Sequence, residues 1–195
     1  AKLLEAPRFG NWDRENIEMV LDEGLKIARE QMAPSNVEGD KIGAQWKDGK
    51  VFMPPAFKPV YDTVREGGWL GMVIPSSSGG MGLPEVVGTA VTEFFSGSNV
   101  SLCLTLMLTR GAAMMIDNFG TDLAKALYFE KLLTGEWTGT MCLTEPQAGS
   151  DVGASKTKAV RQDDGTYLIS GEKIFITSGD HDLTENIIHL VLART

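Results

Sequence analysis

The stretch Cys142-Leu143-Thr144-Glu145-Pro146-Gln147-Ala148-Gly149-Ser150-Asp151-Val152-Gly153 gathers residue types that can bind an anion or the polar edge of a ring. Small residues let the backbone approach a ligand closely, and successive N–H groups can form an anion-binding nest. Thr144 and Ser150 add hydroxyl groups. The same composition also suits a plain connection whose polar side chains satisfy their own backbone, with Asp151 as a cap. A second stretch, Gly171-Glu172-Lys173-Ile174-Phe175-Ile176-Thr177-Ser178-Gly179, reads as part of a strand. On a strand, Phe175 and Thr177 project from one face. A ring and a hydroxyl so placed can stack on a planar ligand and hydrogen-bond its edge. The alternative is a core Phe beside a ladder Thr.

Other side chains are weaker candidates. Glu145 could act as a base, although an acid before Pro commonly has a structural or solvated role. Cys142 could act as a nucleophile, but no His adjoins it, and a buried inert thiol is the simpler reading. His181 and Glu185 stand four apart, a spacing that suits a metal only on a helix. The intervening sequence is not helical in pattern, so an ion pair or cap is expected. With two Cys, two His and no CxxC pair, neither a metal site nor a disulfide framework has support.

These residues must be positioned by two kinds of structure. Ile17, Val20, Leu21, Leu25, Ala28 and Met32 follow helical spacing from Asn11 to Met32, and Pro34 is expected to stop that helix. Residues 35–53 read as loop. Pro54-Pro55 opens a short helix with Pro59 in its first turn, ended by Gly67-Gly68. After a loop at 76–84, helices are predicted near 85–97, 99–118 and 121–134, the last capped by Thr121. Met107, Met114 and Met115 are expected in the core. Near residue 135 the period changes. Strands are predicted at 137–143, 155–162, 166–177 and 186–194, with Asp163-Asp164-Gly165 turning between two of them. The fold class is therefore α+β: an all-α domain over 1–135, then the first strands of a β domain over 136–195. The last strand, one residue before Thr195, reads as an edge without a partner, as if the chain were part of something longer.

Composition narrows the function. The chain has 195 residues, 43% hydrophobic and 23% charged, with a formal net charge of −8. Such a chain can bury a core, which argues against disorder. The acidic balance argues against nucleic acid as a main partner, since phosphate backbones are bound by clustered Lys and Arg. No apolar run approaches the roughly 20 residues of a membrane span, and the N-terminus lacks a signal-peptide pattern. With two cysteines and no CxxC pair, a reduced, cytoplasmic setting is expected.

Met141 to Ala154, with its T-E-P and G-S-D elements, together with Gly171 to Gly179, resembles the acyl-CoA dehydrogenase family. Gly68-Trp69-Leu70-Gly71, Ile74-Pro75 and Gly79-Gly80-Met81-Gly82-Leu83 are similar to that family's helical domain, so the likeness spans nearly the whole chain. One branch, the 3-methylmercaptopropionyl-CoA dehydrogenase group, is similar also at Thr138-Gly139-Thr140 and from Gly179 to Leu190.

The resemblance implies FAD bound between a β-barrel-like middle domain and helical domains. It also implies oxidation of a short acyl-CoA to its 2,3-enoyl form, by α-proton removal and β-hydride transfer to flavin N5. Cofactor contacts are then expected from Met141, Cys142, Leu143, Thr144, Gly149, Ser150, Phe175, Ile176 and Thr177. Leu143 and Thr144 would meet the ring edge, Phe175 would stack, and Thr177 would sit near N5. The family often has Trp in place of Phe175, a change that loses the indole N–H and keeps the stacking surface. Substrate contacts are expected from Ser150 and from Cys103, Leu104, Met107 and Leu108. The family's base is a Glu in a C-terminal helical bundle. Nothing in 1–195 corresponds to it. The base is expected beyond Thr195, and no catalytic residue is assigned within the chain. An electron-transfer flavoprotein and a homo-oligomer are the implied partners. The alternatives are an acyl-CoA oxidase or flavin monooxygenase of the same fold, and a non-catalytic helical binding or assembly module.

Overall fold

A computed structural model describes residues 2–195. The first long helix, α1 (Arg14–Ile27), starts where the Asp13 carboxylate accepts the Asn16 N–H at 2.8 Å. It does not end at Pro34. A π turn at Ala28–Met32 carries it into α2 (Ala33–Ile42), with Pro34 in the first turn of α2. Within that turn the Ala33 N–H reaches back to the Ala28 carbonyl. Widening the turn accommodates the missing N–H and the bulk of a proline ring.

The segment read as loop holds a further element, a hairpin of β1 (Gln45–Lys47) and β2 (Lys50–Phe52) turning through Asp48-Gly49. α3 (Phe57–Glu66), α4 (Glu85–Ser98) and α5 (Val100–Phe119) follow, as their spacing predicts. Asn99 caps α5 by accepting the Leu102 N–H at 3.0 Å, and it donates to the buried Ser35 hydroxyl at 2.9 Å. Thr121 caps α6 (Asp122–Ala124), which passes through a π turn at Lys125–Phe129 into α7 (Glu130–Leu133).

Two apolar clusters result. Ile27, Met32, Tyr61, Val64, Leu70, Val91 and Leu102 centre the first. Ile74, Ala112, Ala113, Ile116 and Leu132 form the second. α5 is long and apolar enough to cross a membrane, yet it contributes residues to both clusters. Met107, Met114 and Met115 lie on its outer side, each more than a third exposed, and not in the core.

Every helix of more than one turn among the described residues precedes β3 (Thr138–Cys142). β4 (Lys158–Arg161) and β5 (Tyr167–Ser170) form an antiparallel hairpin, and β6 (Ile187–Val191) pairs in parallel with β3, Thr140 opposite His189. The last strand is thus partnered, contrary to the expectation of a bare edge before Thr195. Past its end the Arg194 carbonyl accepts the Ala159 N–H at 2.7 Å. The predicted strand 166–177 stops at Ser170. At Gly171 φ is 152°, and the absent side chain leaves room for Thr157, whose hydroxyl would lie 2.3 Å from a Cβ there.

The β region is fastened to the helices at several points. β3 packs on α5 so closely that a Cβ on Gly139 would lie 2.4 Å from that of Ala112. Thr109 Oγ1 accepts the Gly139 N–H at 3.2 Å while donating to the Thr105 carbonyl at 2.8 Å. Tyr61 donates to the Gly135 carbonyl at 2.8 Å. The Asp182 carboxylate accepts the Met53 N–H at 2.8 Å, and Leu183 buries itself in the first cluster.

Candidate functional site

The loop after β3 is organised around Glu145, whose side chain is only 3% exposed. Its carboxylate accepts the N–H groups of Lys156 at 2.6 Å and Thr157 at 2.9 Å, the Gln147 amide at 2.6 Å and the Lys173 ammonium at 2.9 Å. Lys173 also donates to the Leu143 carbonyl at 2.9 Å. The nearby Thr157 hydroxyl, the two backbone N–H groups and Lys173 hold the carboxyl well below the usual carboxylate range. Polar hydrogens and a cation beside a carboxylate favour its ionised form. A carboxylate so occupied is a poor proton acceptor. Glu145 is the post around which 143–157 and 173 are tied, which settles its structural reading. Gly149 and Ser150 are exposed at the loop's outer end.

That tie redirects the second stretch. Lys173 is drawn to Glu145, and the Ile174 N–H donates to the Thr144 carbonyl at 2.9 Å. The chain therefore runs past Leu143 and Thr144 and does not extend β5. Phe175 takes a left-handed conformation at φ 57°, and its side chain is 88% exposed. Neither a strand face nor a core position describes it. Ser178 is left-handed too, at φ 53°, and Gly179 N–H closes the turn on the Ile176 carbonyl at 3.1 Å. Non-glycine residues in this region are strained, and they concentrate at functional sites. Beside Phe175, among the described residues, no acceptor meets the N–H of Leu143 or Thr144. Thr177 is exposed at the same turn.

α5 approaches this turn from behind, where Thr105 and Ser178 share a hydrogen bond of 2.6 Å between their hydroxyls. At about 100° per residue, Leu104 and Leu108 lie within roughly 100° of Thr105 around the helix. Cys103 and Met107 fall about 160° away, on the far side. There they line a cavity of ≈ 20 Å³ with Trp69, Phe95 and Arg110, space for about one water molecule. Cys103 Sγ lies 3.2 Å from the Ser96 hydroxyl, and burial pushes its thiol pKa up. The structure thus gathers Leu143, Thr144, Phe175, Ile176 and Thr177 at one place with the Leu104–Leu108 flank nearby, and it does not bring Cys103 or Met107 there. Thr195 is exposed and borders a surface hollow with Arg194, Val152 and Gly153. It is not among the residues gathered at the Phe175 turn. The carboxylate that is gathered there, Glu145, is already committed to its four donors.

Sequence reading gave no role to Lys173, Thr105, Thr109 or Ser178, and for His181 it expected an ion pair or a cap. His181 lies outside the helices and, among the described residues, has no ion-pair partner. It is buried, its Nδ1 accepting the Leu183 N–H at 3.2 Å. Nε2 therefore carries the proton and donates to Thr138 Oγ1 at 3.0 Å. Burial lowers its pKa from 6.5, partly offset by Asp180 and Asp182. A histidine held neutral in the fold stabilises it fully above pH 6.5, and that stability is lost as pH falls through the lowered value. Thermal unfolding followed from neutral pH to about pH 5 should show the midpoint falling, with a flatter slope in His181→Gln. An equal slope in the variant would assign the titration elsewhere. A second imidazole, His189, meets Thr140 Oγ1 at 2.6 Å through Nδ1, with Cys142 Sγ at 3.8 Å. Among the described residues no group of three or more His, Cys, Asp or Glu side chains is placed to hold a metal ion.

The chain belongs to the acyl-CoA dehydrogenase family. Residues 14–136 match the family's N-terminal domain and residues 140–195 its middle domain. Among individual relatives it is 49% identical over 187 residues to 3-methylmercaptopropionyl-CoA dehydrogenase of Ruegeria pomeroyi, covering 96% of this chain and 32% of that protein. It is 42% identical over 199 residues to a butyryl-CoA dehydrogenase of Syntrophomonas wolfei, covering 100% of this chain and 32% of that protein. The chain therefore spans about a third of the length of these relatives. Its fold is similar to butyryl-CoA dehydrogenase from Megasphaera elsdenii, with TM-score 0.71, 28% identity, and coverage of 89% of this chain and 44% of that one. It is likewise similar to an acyl-CoA dehydrogenase complexed with FAD from Bacillus anthracis, with TM-score 0.72, 26% identity, and coverage of 93% and 29%.

Proposed function

We propose that this chain is the N-terminal part of a FAD-dependent acyl-CoA dehydrogenase, with residues 1–135 as its helical domain and 136–195 as the start of its flavin-binding β domain. The observation that carries this is the turn at Phe175. An aromatic ring stands exposed on a strained left-handed backbone, beside two consecutive N–H donors that have no partner among the described residues. An exposed ring face next to backbone with free N–H groups suits a flat heteroaromatic group that has acceptors along its edge. The residues present fit a flavin in that respect.

When bound, FAD would accept the hydride, that is the β-hydrogen with the electron pair of its C–H bond, while the α-hydrogen leaves as a proton to a base. The chain's own residues bind and orient. Leu143 and Thr144 offer N–H groups to the ring edge, and Phe175 offers a stacking surface. Thr177 offers a hydroxyl beside it. Met141, Cys142 and Ile176 form the backbone from which these project. Gly149 and Ser150 have the exposure and small size suited to a diphosphate or the CoA arm. Leu104 and Leu108 border the acyl side. Glu145 keeps the loop in shape and leaves proton abstraction to a base beyond Thr195. A short acyl-CoA, with 3-methylmercaptopropionyl-CoA as the leading candidate, is the substrate. An electron-transfer flavoprotein is the electron acceptor, the enzyme is a homo-oligomer, and its setting is the cytoplasm.

The test is equilibrium binding on the full-length protein. FAD added to the apoprotein should bind at one per chain, and the substrate-reduced enzyme should reoxidise slowly in air. A protein that never takes up FAD refutes the site, and rapid aerobic reoxidation makes it an oxidase.

A further inference from the structure

Thr105 is fully buried on an otherwise apolar length of α5, and its hydroxyl meets that of Ser178, 73 residues on, at 2.6 Å. Ser178 ends a turn that has two left-handed residues, itself and Phe175. A strained turn persists only where its surroundings hold it. Three hydrogen bonds do so. The Ile174 N–H donates to the Thr144 carbonyl, and the Gly179 N–H to the Ile176 carbonyl. The third is the hydroxyl pair, and it alone of the three reaches the helix that carries Leu104 and Leu108. The helix side of the pair is well fixed, since the Thr105 carbonyl accepts the Thr109 hydroxyl, which in turn accepts the Gly139 N–H of β3. Hence the Phe175 turn is tied to α5 by the two hydroxyls and α5 to β3 by Thr109, the links meeting at Thr105, whose hydroxyl serves the first and whose backbone carbonyl serves the second. A buried hydroxyl without a partner is costly, so the pair constrains both of its members.

We propose that Thr105 is a positioning residue for the flavin reaction. Its hydroxyl sets the Ser178 turn, and so the distance between the ring face at Phe175, the hydroxyl of Thr177 and the acyl-bordering flank of α5. Thr105 touches neither cofactor nor substrate in this scheme and acts through Ser178. The proposal rests on the flavin reading above.

The experiment compares Thr105→Val, Thr105→Ser and Ser178→Ala in the full-length protein, with butyryl-CoA as the probe. Loss of the hydroxyl in Thr105→Val or Ser178→Ala should slow flavin reduction at saturating butyryl-CoA about fivefold, the worth of one neutral hydrogen bond. Half-saturation should stay within about a factor of two, because no binding contact is removed. The flavin absorption band should shift in both variants, and Thr105→Ser should recover the band and most of the rate. Combining Thr105→Val with Ser178→Ala should cost no more than either alone. In FAD-free protein, amide exchange at Ile176–Gly179 should quicken in Thr105→Val and not in Thr105→Ser. Wild-type reduction with an unshifted band in Thr105→Val would overturn the proposal. So would additive losses, or a Thr105→Ser variant as slow as the Val variant, since packing alone would then explain the site. If Thr105→Val does not fold, Ser178→Ala carries the same comparison. A full-length protein without FAD defeats the flavin reading, and the exchange data alone then decide whether the hydroxyl pair holds the turn.

Discussion

Replacing Glu145 with Ala should lower the thermal midpoint of the full-length protein by on the order of 10 °C and strip it of most of its FAD. The side chain accepts two backbone N–H groups, an amide and an ammonium from positions 2 to 28 residues away. Removing it leaves the Lys173 ammonium, 10% exposed, without its carboxylate. A buried charge deprived of its partner is among the most damaging changes a fold can suffer. Freed from that post, the 143–157 loop no longer holds the Thr144 carbonyl under Ile174, and the Phe175 turn loses its footing. Glu145→Gln should fail in the same way, because an amide nitrogen would face the Lys156 or Thr157 N–H. This separates the structural role from a basic one. Were Glu145 the base, Gln would leave FAD content and thermal midpoint intact and abolish turnover alone. The acid limb of stability offers a second check. The folded carboxyl titrates below its ordinary 4.5. Its contribution is therefore full above that pH and is lost progressively as pH falls below it. In the variants that limb should be shallower.

Gly139→Ala should destabilise the protein by about 2 kcal/mol, the usual cost of overfilling a packed interior. The added carbon would sit 2.4 Å from Ala112 Cβ and 3.3 Å from Leu132 Cδ2. The backbone there has little freedom to move. The Gly139 N–H is held by Thr109, and β3 is in register with β6 along its five residues. The clash should be relieved by making room on the helix. Ala112→Gly carries its own helix penalty of about 1 kcal/mol, yet the double variant should unfold at a higher denaturant concentration than the sum of the two singles implies. Additive losses would mean that β3 and α5 are not packed in this way.

Much of this architecture could be read from residue patterns. The 3.6-residue spacing in α1, α4 and α5 and the Thr121 cap were local signals, and each predicted its element. Pro34 misled because a π turn upstream removes the conflict that proline normally creates, and spacing alone does not reveal a π turn. The β1–β2 hairpin had its signal in Asp48-Gly49, which was masked by strands of three residues among charged neighbours. At the candidate site, the composition of 142–153 and 171–179 singled out two segments that the fold brings into contact, but the strand expected within the second is not formed. The reason is long-range. Lys173 leaves the strand direction to reach Glu145, 28 residues earlier, and no local period encodes that. The Thr105–Thr109 spacing on an apolar helix was a visible polar stripe, whereas its partner Ser178 is 73 residues distant. His181 was unreadable for the same reason, since its acceptor Thr138 lies 43 residues earlier.

The central claim, that this chain forms one wall of a flavin site serving acyl-CoA oxidation, is tested most directly by anaerobic titration of the FAD-loaded full-length protein with a short acyl-CoA. The flavin absorption band should bleach, with an enoyl-CoA formed for each flavin reduced. A bound flavin that stays oxidised through saturating 3-methylmercaptopropionyl-CoA and butyryl-CoA would contradict it.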